Sequence, residues 1–260
     1  MSNHLPHPRS ALEPAGGRPA PAIGIFLLGG DSMVAEACAS TGLDWVVLDM
    51  EAAPMSKREA LHLMQALRHS DCVPVVRVSW AQQHLIEHAL DMGASAVMVP
   101  KVDTAAEAAA AALACRYPPQ GTRGVNPVRA SDYFHDVPGY LARANDAVAC
   151  IVQIESPEAV RNADEIAATK GVDALFIGMG DLACAYGQPG VMDGPVVDEA
   201  RARVLAASAR HGKTAGIFAY SRELARQYIR EGFGFIAIGN ELKIFREGLL
   251  DALGSLRAPA

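Results

Sequence analysis

Eight short apolar segments, each rich in β-branched residues, recur along the chain and alternate with segments of helical pattern. Continuous apolar runs of this length are typical of parallel strands that are buried on both faces. The predicted strands are residues 23–28, 44–51, 74–78, 96–101, 150–155, 174–178, 214–219 and 235–239. Eight such strands alternating with helices predict an α/β fold, a closed (β/α)8 TIM barrel. A doubly wound open sheet is the alternative, and the lack of a GxGxxG motif after the first strand argues against it.

The segments between the strands carry the start signals of helices. Ser56 with Glu59, and Thr104 with Glu107, have the spacing of a capping box. Helices are predicted at residues 32–40, 56–69, 82–92, 104–115, 140–145, 158–168, 198–211, 222–231 and 240–253. The connection 116–139 is too long to be a plain connector, so we predict a functional loop there.

Length and composition suit one enzyme-sized domain. The chain of 260 residues predicts a single barrel at 22–260, after a disordered tail at 1–21 that is rich in Pro, Gly and His. The net charge of −6, with scattered Lys and Arg, argues against nucleic-acid binding. No apolar run reaches membrane-span length, and five dispersed cysteines without a CxxC pair predict reduced thiols in a cytoplasmic protein.

Polar side chains follow several of the predicted strands, and a barrel brings the carboxyl ends of all its strands to one mouth. These residues are Asp49, Glu51, Arg77, Lys101, Gln153, Glu155, Gly180 and Asp181. Glu155 and Asp181 end neighbouring strands, and two carboxylates with open remaining positions suit Mg²⁺, Mn²⁺ or Co²⁺. Either acid alone could instead cap a helix or a turn. Their convergence predicts a hard-cation site.

Three further features each allow two interpretations. Arg77 lies in a valine-rich strand, where a guanidinium is costly to bury without a partner. It could pair with Asp49 or Glu51, or bind a substrate carboxylate or enolate oxygen, and we favour the second interpretation. Residues 178–182 predict a tight turn whose free amides could receive a carboxylate or phosphate, although glycines can also serve backbone geometry alone. The arginine-rich loop 116–129, which includes Arg123, could bind an anion or simply be solvated.

Four stretches together resemble one enzyme family. They are LDWVVLDME at 43–51, RYPPQGTRGV at 116–125, VQIE at 152–155 and FIGMGDL at 176–182. The chain resembles, from about residue 23 to 250, the HpcH/HpaI aldolases, which include metal-dependent (class II) pyruvate aldolases and relatives of the citrate lyase β subunit. The resemblance implies a (β/α)8 barrel whose last helix is exchanged between subunits, and a homo-oligomer, usually a hexamer built as a trimer of dimers.

The resemblance also implies roles for single residues. Glu155 and Asp181 would hold the metal, and Gln153 would hold the metal's water or the substrate. Arg77 would stabilise the enolate oxygen, and the amides of Gly180 and Asp181 would take the carboxylate of the 2-oxo acid. Asp91 matches the acid of the family's His–Asp dyad.

One departure from the family pattern concerns proton transfer. Ala52 stands where the family typically has a histidine, and Phe26 stands where it often has a tryptophan. Alanine cannot transfer a proton, and Asp91 loses its expected partner. Three explanations remain open: a metal-bound hydroxide as base, another histidine such as His135, or a reaction other than simple retro-aldol cleavage.

These features predict a metal-dependent carbon–carbon lyase or aldolase that acts through the enolate of pyruvate or oxaloacetate. Phe218, at the seventh strand end, is expected to shape the pocket of the second substrate. One alternative is a citrate-forming Claisen-type synthase that uses oxaloacetate and acetyl-CoA, as in siderophore biosynthesis. Another is a non-catalytic ligand-binding barrel, which the retained cluster of charged residues disfavours.

Overall fold

The strands of the computed structural model, which describes Leu12 and residues 20–257, close into a barrel. All pair in parallel and in chain order, and the last strand pairs with the first. They are β1 Ala22–Leu27, β2 Trp45–Asp49, β3 Val73–Arg77, β4 Ala96–Val99, β5 Ala149–Ile154, β6 Ala174–Ile177, β7 Thr214–Phe218 and β8 Phe235–Asn240. The predicted (β/α)8 barrel is confirmed, and the open sheet is excluded because β8 pairs with β1.

The helices of the described chain surround this barrel. They are α1 Ser32–Ala39, α2 Lys57–Ala66, α3 Gln83–Asp91, α4 Ala105–Ala114, α5 Val137–Ala147, α6 Pro157–Arg161, α7 Ala163–Ala168, α8 Met179–Ala185, α9 Pro195–Arg210, α10 Arg222–Glu231 and α11 Glu241–Arg257. Both predicted capping boxes are present, because Ser56 and Thr104 each accept the amide of the glutamate three residues on, which in turn accepts theirs.

Two predicted helices and one predicted turn needed correction. The single helix expected at 158–168 is two helices that meet at Asn162, whose backbone has φ −91° and ψ 5°. The short helix expected at 140–145 begins at Val137, because the side chain of Asp136 caps it. The tight turn expected at 178–182 is the start of α8, whose buried Leu182 and Ala183 pack against the core.

The inside of the barrel is filled by large side chains that leave no room for others. The rings of Trp45 and Phe235 stack with centroids 3.9 Å apart, and Phe176 packs edge-on against Phe235. A Cβ on Gly24 would lie 2.4 Å from the carbonyl oxygen of Trp45, so this strand position requires glycine. The interior is therefore a packed core, and the reactive groups can only lie at an end of the barrel.

The amino end of the barrel is covered by Leu12. Its side chain is buried in the interior cluster, and its carbonyl oxygen accepts a hydrogen bond from the hydroxyl of Thr214 at the start of β7. At this residue the structure differs from the predicted disordered tail, because an apolar side chain gains from burial against the core. Residues 1–11 and 13–19 of that tail lie outside the described residues.

The last helix is unlike the others in its surroundings. No residue of α11 is buried. Its exposed apolar side chains are Leu242, Ile244, Phe245, Leu249, Leu250, Leu253 and Leu256. Neither α11 nor any other helix in the described part of the chain is long and apolar enough to cross a membrane.

Candidate active site

Arg77, at the end of β3, is the centre of the charged network at the mouth. Its Nε and Nη2 donate to the two carboxylate oxygens of Asp49 at 2.9 and 2.6 Å, which is the bidentate geometry of a strong ion pair. Its Nη1 lies 2.8 Å from Oε2 of Glu51 and 3.5 Å from Oε1 of Gln153. The pairing with Asp49 and Glu51 that the sequence allowed is present, and it fixes the guanidinium rigidly.

Asp49 is fully buried, so its ion pair with Arg77 is also needed to stabilise the fold. Burial lowers the pKa of Arg77, but the hydrogen bond and charge of Asp49 outweigh it and the pKa is raised. Arg77 therefore keeps its charge under all ordinary conditions. Its guanidinium carbon also lies 5.1 Å from the ring centroid of Phe26, a cation–π distance.

Glu155 follows β5 and is nearly buried, with 5% of the residue exposed. Its Oε1 accepts the amide of Lys101 at 2.8 Å, and its Oε2 has no hydrogen-bond partner among the described residues. The pKa of Glu155 is raised to about 7, chiefly by burial and also by the charges of Glu51 and Asp181, whereas the hydrogen bond from the Lys101 amide and the charge of Arg77 lower it. A buried carboxylate oxygen without a partner is unfavourable, unless a cation or proton binds it.

A glycine follows the neighbouring strand β6 and lies next to this carboxylate. A Cβ on Gly178 would lie 2.4 Å from Oε2 of Glu155, so glycine at this position leaves room for the Glu155 carboxylate. Asp181 lies exposed in the first turn of α8, three residues further on. The described residues contain no group of three or more His, Cys, Asp and Glu arranged to hold a metal. The donors fit a hard cation that takes two protein carboxylates and completes its shell with substrate and water.

The charge balance supports the same conclusion. Asp49, Glu51, Glu155 and Asp181 are acids of the mouth, and Arg77 and Lys101 are its cations; full ionisation leaves an excess of two negative charges. Burial raises the pKa of Glu51 as well, against the opposing charges of Arg77 and Lys101. A divalent cation would neutralise this excess.

An aromatic wall borders the charged groups. Phe218 ends β7, as predicted, and its ring contacts Phe26 edge-on at 5.3 Å and Tyr220 at 4.8 Å between centroids. A Cβ on Gly180 would lie 2.6 Å from the hydroxyl oxygen of Tyr220, so this hydroxyl is directly above the glycine. Burial raises the pKa of Tyr220, helped by the charge of Asp181. Tyr220 therefore keeps its proton at neutral pH.

Two predicted site residues lie elsewhere. Asp91 ends α3, and the chain then continues to Ser95 at the amino end of the barrel, where the Ser95 amide donates to the carbonyl oxygen of Pro74. The carboxylate of Asp91 pairs with the buried Arg123 at 2.7 Å, and the Arg123 guanidinium lies over the ring of Tyr117. Because each helix runs opposite to the strands, the end of α3 lies at the amino end of the barrel. Within its own barrel Asp91 is therefore remote from the mouth and forms an ion pair with Arg123. Its catalytic role, and substrate binding by Arg123, stay predictions.

The alternative histidine is also remote. His135 lies in the loop before α5, next to the segment whose Ala130 amide donates to the Asp91 carbonyl oxygen. Ala52 does lie at the mouth, exposed, with its amide directed at Asp49.

Three residues of the mouth had no role predicted from the sequence. Lys101 lies beside Glu51, Trp80 lies beside Lys101, and Tyr220 lies over Gly180. Lys101 had a signal, since it directly follows an apolar run. Trp80 and Tyr220 follow strand ends by two or three residues, and only the folded loops show where they lie.

The protein is a parallel eight-stranded barrel, and acids, an arginine and a glutamine lie at the carboxyl ends of its strands. This arrangement is typical of barrel enzymes, whose active sites lie at that end of the barrel. Residues 22–248 match the sequence model of the HpcH/HpaI aldolase/citrate lyase family, and the chain belongs to that family. Its members are aldolases, lyases or synthases, so the expected enzyme class is confirmed.

Three similar proteins illustrate the match. A hydroxypyruvate/pyruvate aldolase of Deinococcus radiodurans is 43% identical over 86% of this chain and 81% of its own length. The crystal structure of a family member from Burkholderia cenocepacia has a TM-score of 0.89 at 39% identity, covering 92% of this chain and 95% of that one. The crystal structure of the citrate synthase SbnG has a TM-score of 0.83 at 26% identity, covering 94% and 96%.

Proposed function

We propose that this protein is a divalent-metal-dependent aldolase that makes or breaks a carbon–carbon bond next to the enolate of a small 2-oxo acid, pyruvate or oxaloacetate. The observation that carries the proposal is the unpaired Oε2 of Glu155, which is buried beside Gly178 in a site rich in negative charge. The aldolases among its relatives support the reaction class.

Glu155 and Asp181 would hold the cation, with Mg²⁺, Mn²⁺ and Co²⁺ as candidates. When bound, such a cation supplies Lewis-acid polarisation of the 2-oxo acid. The family is generally dependent on divalent metals, which supports this assignment.

The chain's own groups complete the site. Arg77, immobilised by Asp49, presents fixed positive charge where the enolate oxygen gains negative charge, and preorganised charge is effective because it need not reorient. Gln153, buried beside Arg77, would orient the substrate or a water. The amides of Gly180 and Asp181 would receive the carboxylate. Phe218 would border the second substrate, and Tyr220 presents a protonated hydroxyl there.

Enolate formation can be tested without knowing the aldehyde. The protein, freed of metal with a chelator and reloaded with Mn²⁺, is incubated with pyruvate in D2O, and loss of the methyl proton signal is followed by NMR. We expect exchange that requires both protein and metal. Binding of pyruvate without exchange, with each of the three metals, would instead favour a non-catalytic barrel.

A citrate-forming synthase is the second candidate, because the SbnG structure is similar over nearly the whole chain. The test is release of free thiol from acetyl-CoA in the presence of oxaloacetate. Thiol release together with citrate would establish this candidate; its absence, alongside pyruvate exchange, would leave the aldolase.

Metal binding should depend on pH. Because burial raises the pKa of Glu155 to about 7, the metal-free protein holds a proton there at pH 6 that a bound cation must displace. The apparent affinity for Mn²⁺ should fall by about tenfold per pH unit below 7 and level off above about pH 8. Calorimetry in buffers of different ionisation enthalpy should detect about one released proton at pH 6. Proton release that is equal at pH 6 and 8 would contradict this assignment.

The exposed apolar face of α11 supports a homo-oligomer in which this helix is exchanged or packed between subunits, and a hexamer is the expected form. Light scattering should give a mass above that of one chain. Replacing Leu249 and Leu253 with glutamate should lower that mass. An unchanged mass would show that α11 is not the interface.

We propose a cytoplasmic location, from the free cysteines.

A further inference from the structure

Lys101 is the residue of the mouth with the least common backbone. Its φ of 55° lies in the left-handed region, which a residue with a side chain adopts only where the surroundings hold it. The contact that holds it is the hydrogen bond from its amide to Oε1 of Glu155. The backbone of Lys101 is thus hydrogen-bonded to the proposed metal ligand Glu155, and the lysine side chain lies at the edge of the reaction centre.

The ammonium group of Lys101 has open donor positions. Its Nζ lies 3.8 Å from Oε1 of Glu51, which is within ion-pair range but too long for a hydrogen bond. Half of the side chain is exposed, whereas Arg77 is bonded to Asp49 and Glu51. Of these two cations, Lys101 is therefore the more exposed one, with its donors free for an anion at the rim of the mouth.

Trp80 positions this charge. Its ring centroid lies 5.3 Å from Nζ of Lys101, a cation–π distance, and the tryptophan is itself half exposed. The two side chains form an apolar surface that ends in a positive charge, next to the acids that would otherwise repel an anion. Such a pair suits a substrate with a short apolar segment and a terminal carboxylate.

We propose that Lys101 determines specificity by binding the carboxylate of an acidic aldehyde, the second substrate of the aldol reaction. This inference rests on the proposed function and names the class of its co-substrate. The aldehyde carbonyl would lie toward Arg77 and the aromatic wall, and its distant carboxylate would reach the ammonium of Lys101. No proton transfer is assigned to the lysine.

The test compares Lys101→Met with the unchanged protein in the Mn²⁺-loaded aldol addition of pyruvate to two aldehydes. One is 4-oxobutanoate, which carries a carboxylate, and the other is butanal, which does not. Methionine keeps the length of the side chain and has the same left-handed backbone strain, so only the charge changes. Lys170→Met, at an exposed lysine between α7 and β6, is the matched control.

We expect kcat/KM for 4-oxobutanoate to fall about tenfold in Lys101→Met, as for loss of a hydrogen bond to a charged group, while butanal changes by less than about twofold. The KM for 4-oxobutanoate should also rise with salt in the unchanged protein and not in the variant. Equal losses for both aldehydes, or none, would overturn the inference. Failure of pyruvate exchange in D2O would overturn the proposed function itself, whereas normal exchange without preference for the acidic aldehyde would overturn this inference alone.

Discussion

Glu155→Gln should abolish metal-dependent turnover, lowering the rate of pyruvate deuterium exchange by about a thousandfold or more, as for loss of a metal or oxyanion contact. The amide has nearly the shape of the carboxylate and still accepts from Lys101, but it carries no charge for the cation. Because the buried negative charge is removed, the metal-free variant should unfold at the same temperature or slightly higher. Circular dichroism measures that midpoint, and calorimetry measures the lost Mn²⁺ binding.

Glu158→Gln is the matched control, since Glu158 is exposed in the first turn of α6, three residues further along the chain. It should retain full turnover and metal affinity. If Glu155→Gln retained Mn²⁺ affinity and exchange, the metal site would have to be sought elsewhere.

Arg77→Lys should slow enolate formation by about a hundredfold to a thousandfold, the usual effect of removing one donor to a developing oxyanion. A lysine keeps the charge but cannot bond Asp49 in a bidentate manner while also reaching Glu51 and Gln153. The buried Asp49 would lose part of its hydrogen bonding, so the free energy of unfolding should fall by about 1–3 kcal/mol.

Exchange kinetics at saturating Mn²⁺ and urea denaturation measure these two effects separately. The control is Arg143→Lys, because Arg143 forms an exposed pair with Asp136, and such pairs contribute little. A variant that loses stability but keeps its turnover would show that Arg77 is purely structural, which was the alternative that its position in a valine-rich strand left open.

The sequence alone predicted the barrel because its strands are apolar on both faces and its helices carry capping signals at Ser56 and Thr104. The acids and the arginine at the mouth followed from one geometric rule, that parallel strands in a barrel end on the same side. That rule says nothing about helix ends. Asp91 was therefore assigned from family resemblance alone, and the structure places it beside Arg123.

The residues that the sequence did not reveal depend on loop conformation. A left-handed lysine at 101 has no local signature, since glycine or asparagine would be expected there. The hydroxyl of Tyr220 reaches Gly180 only because the loop after β7 folds over the first turn of α8. The apolar character of α11 was visible in the sequence, but whether its leucines would be covered within one chain required the fold.

The pairing of β8 with β1 has a consequence for how activity is lost. The barrel joins its first and last strands, a contact of high sequence separation, and contacts of this kind slow folding because a long stretch of chain must be closed first. Phe26 on β1 contacts Arg77, so the geometry of the reaction centre depends on this closure. Catalysis should therefore report complete folding: a chain truncated before β8 would retain the charged residues in sequence but not as an assembled centre.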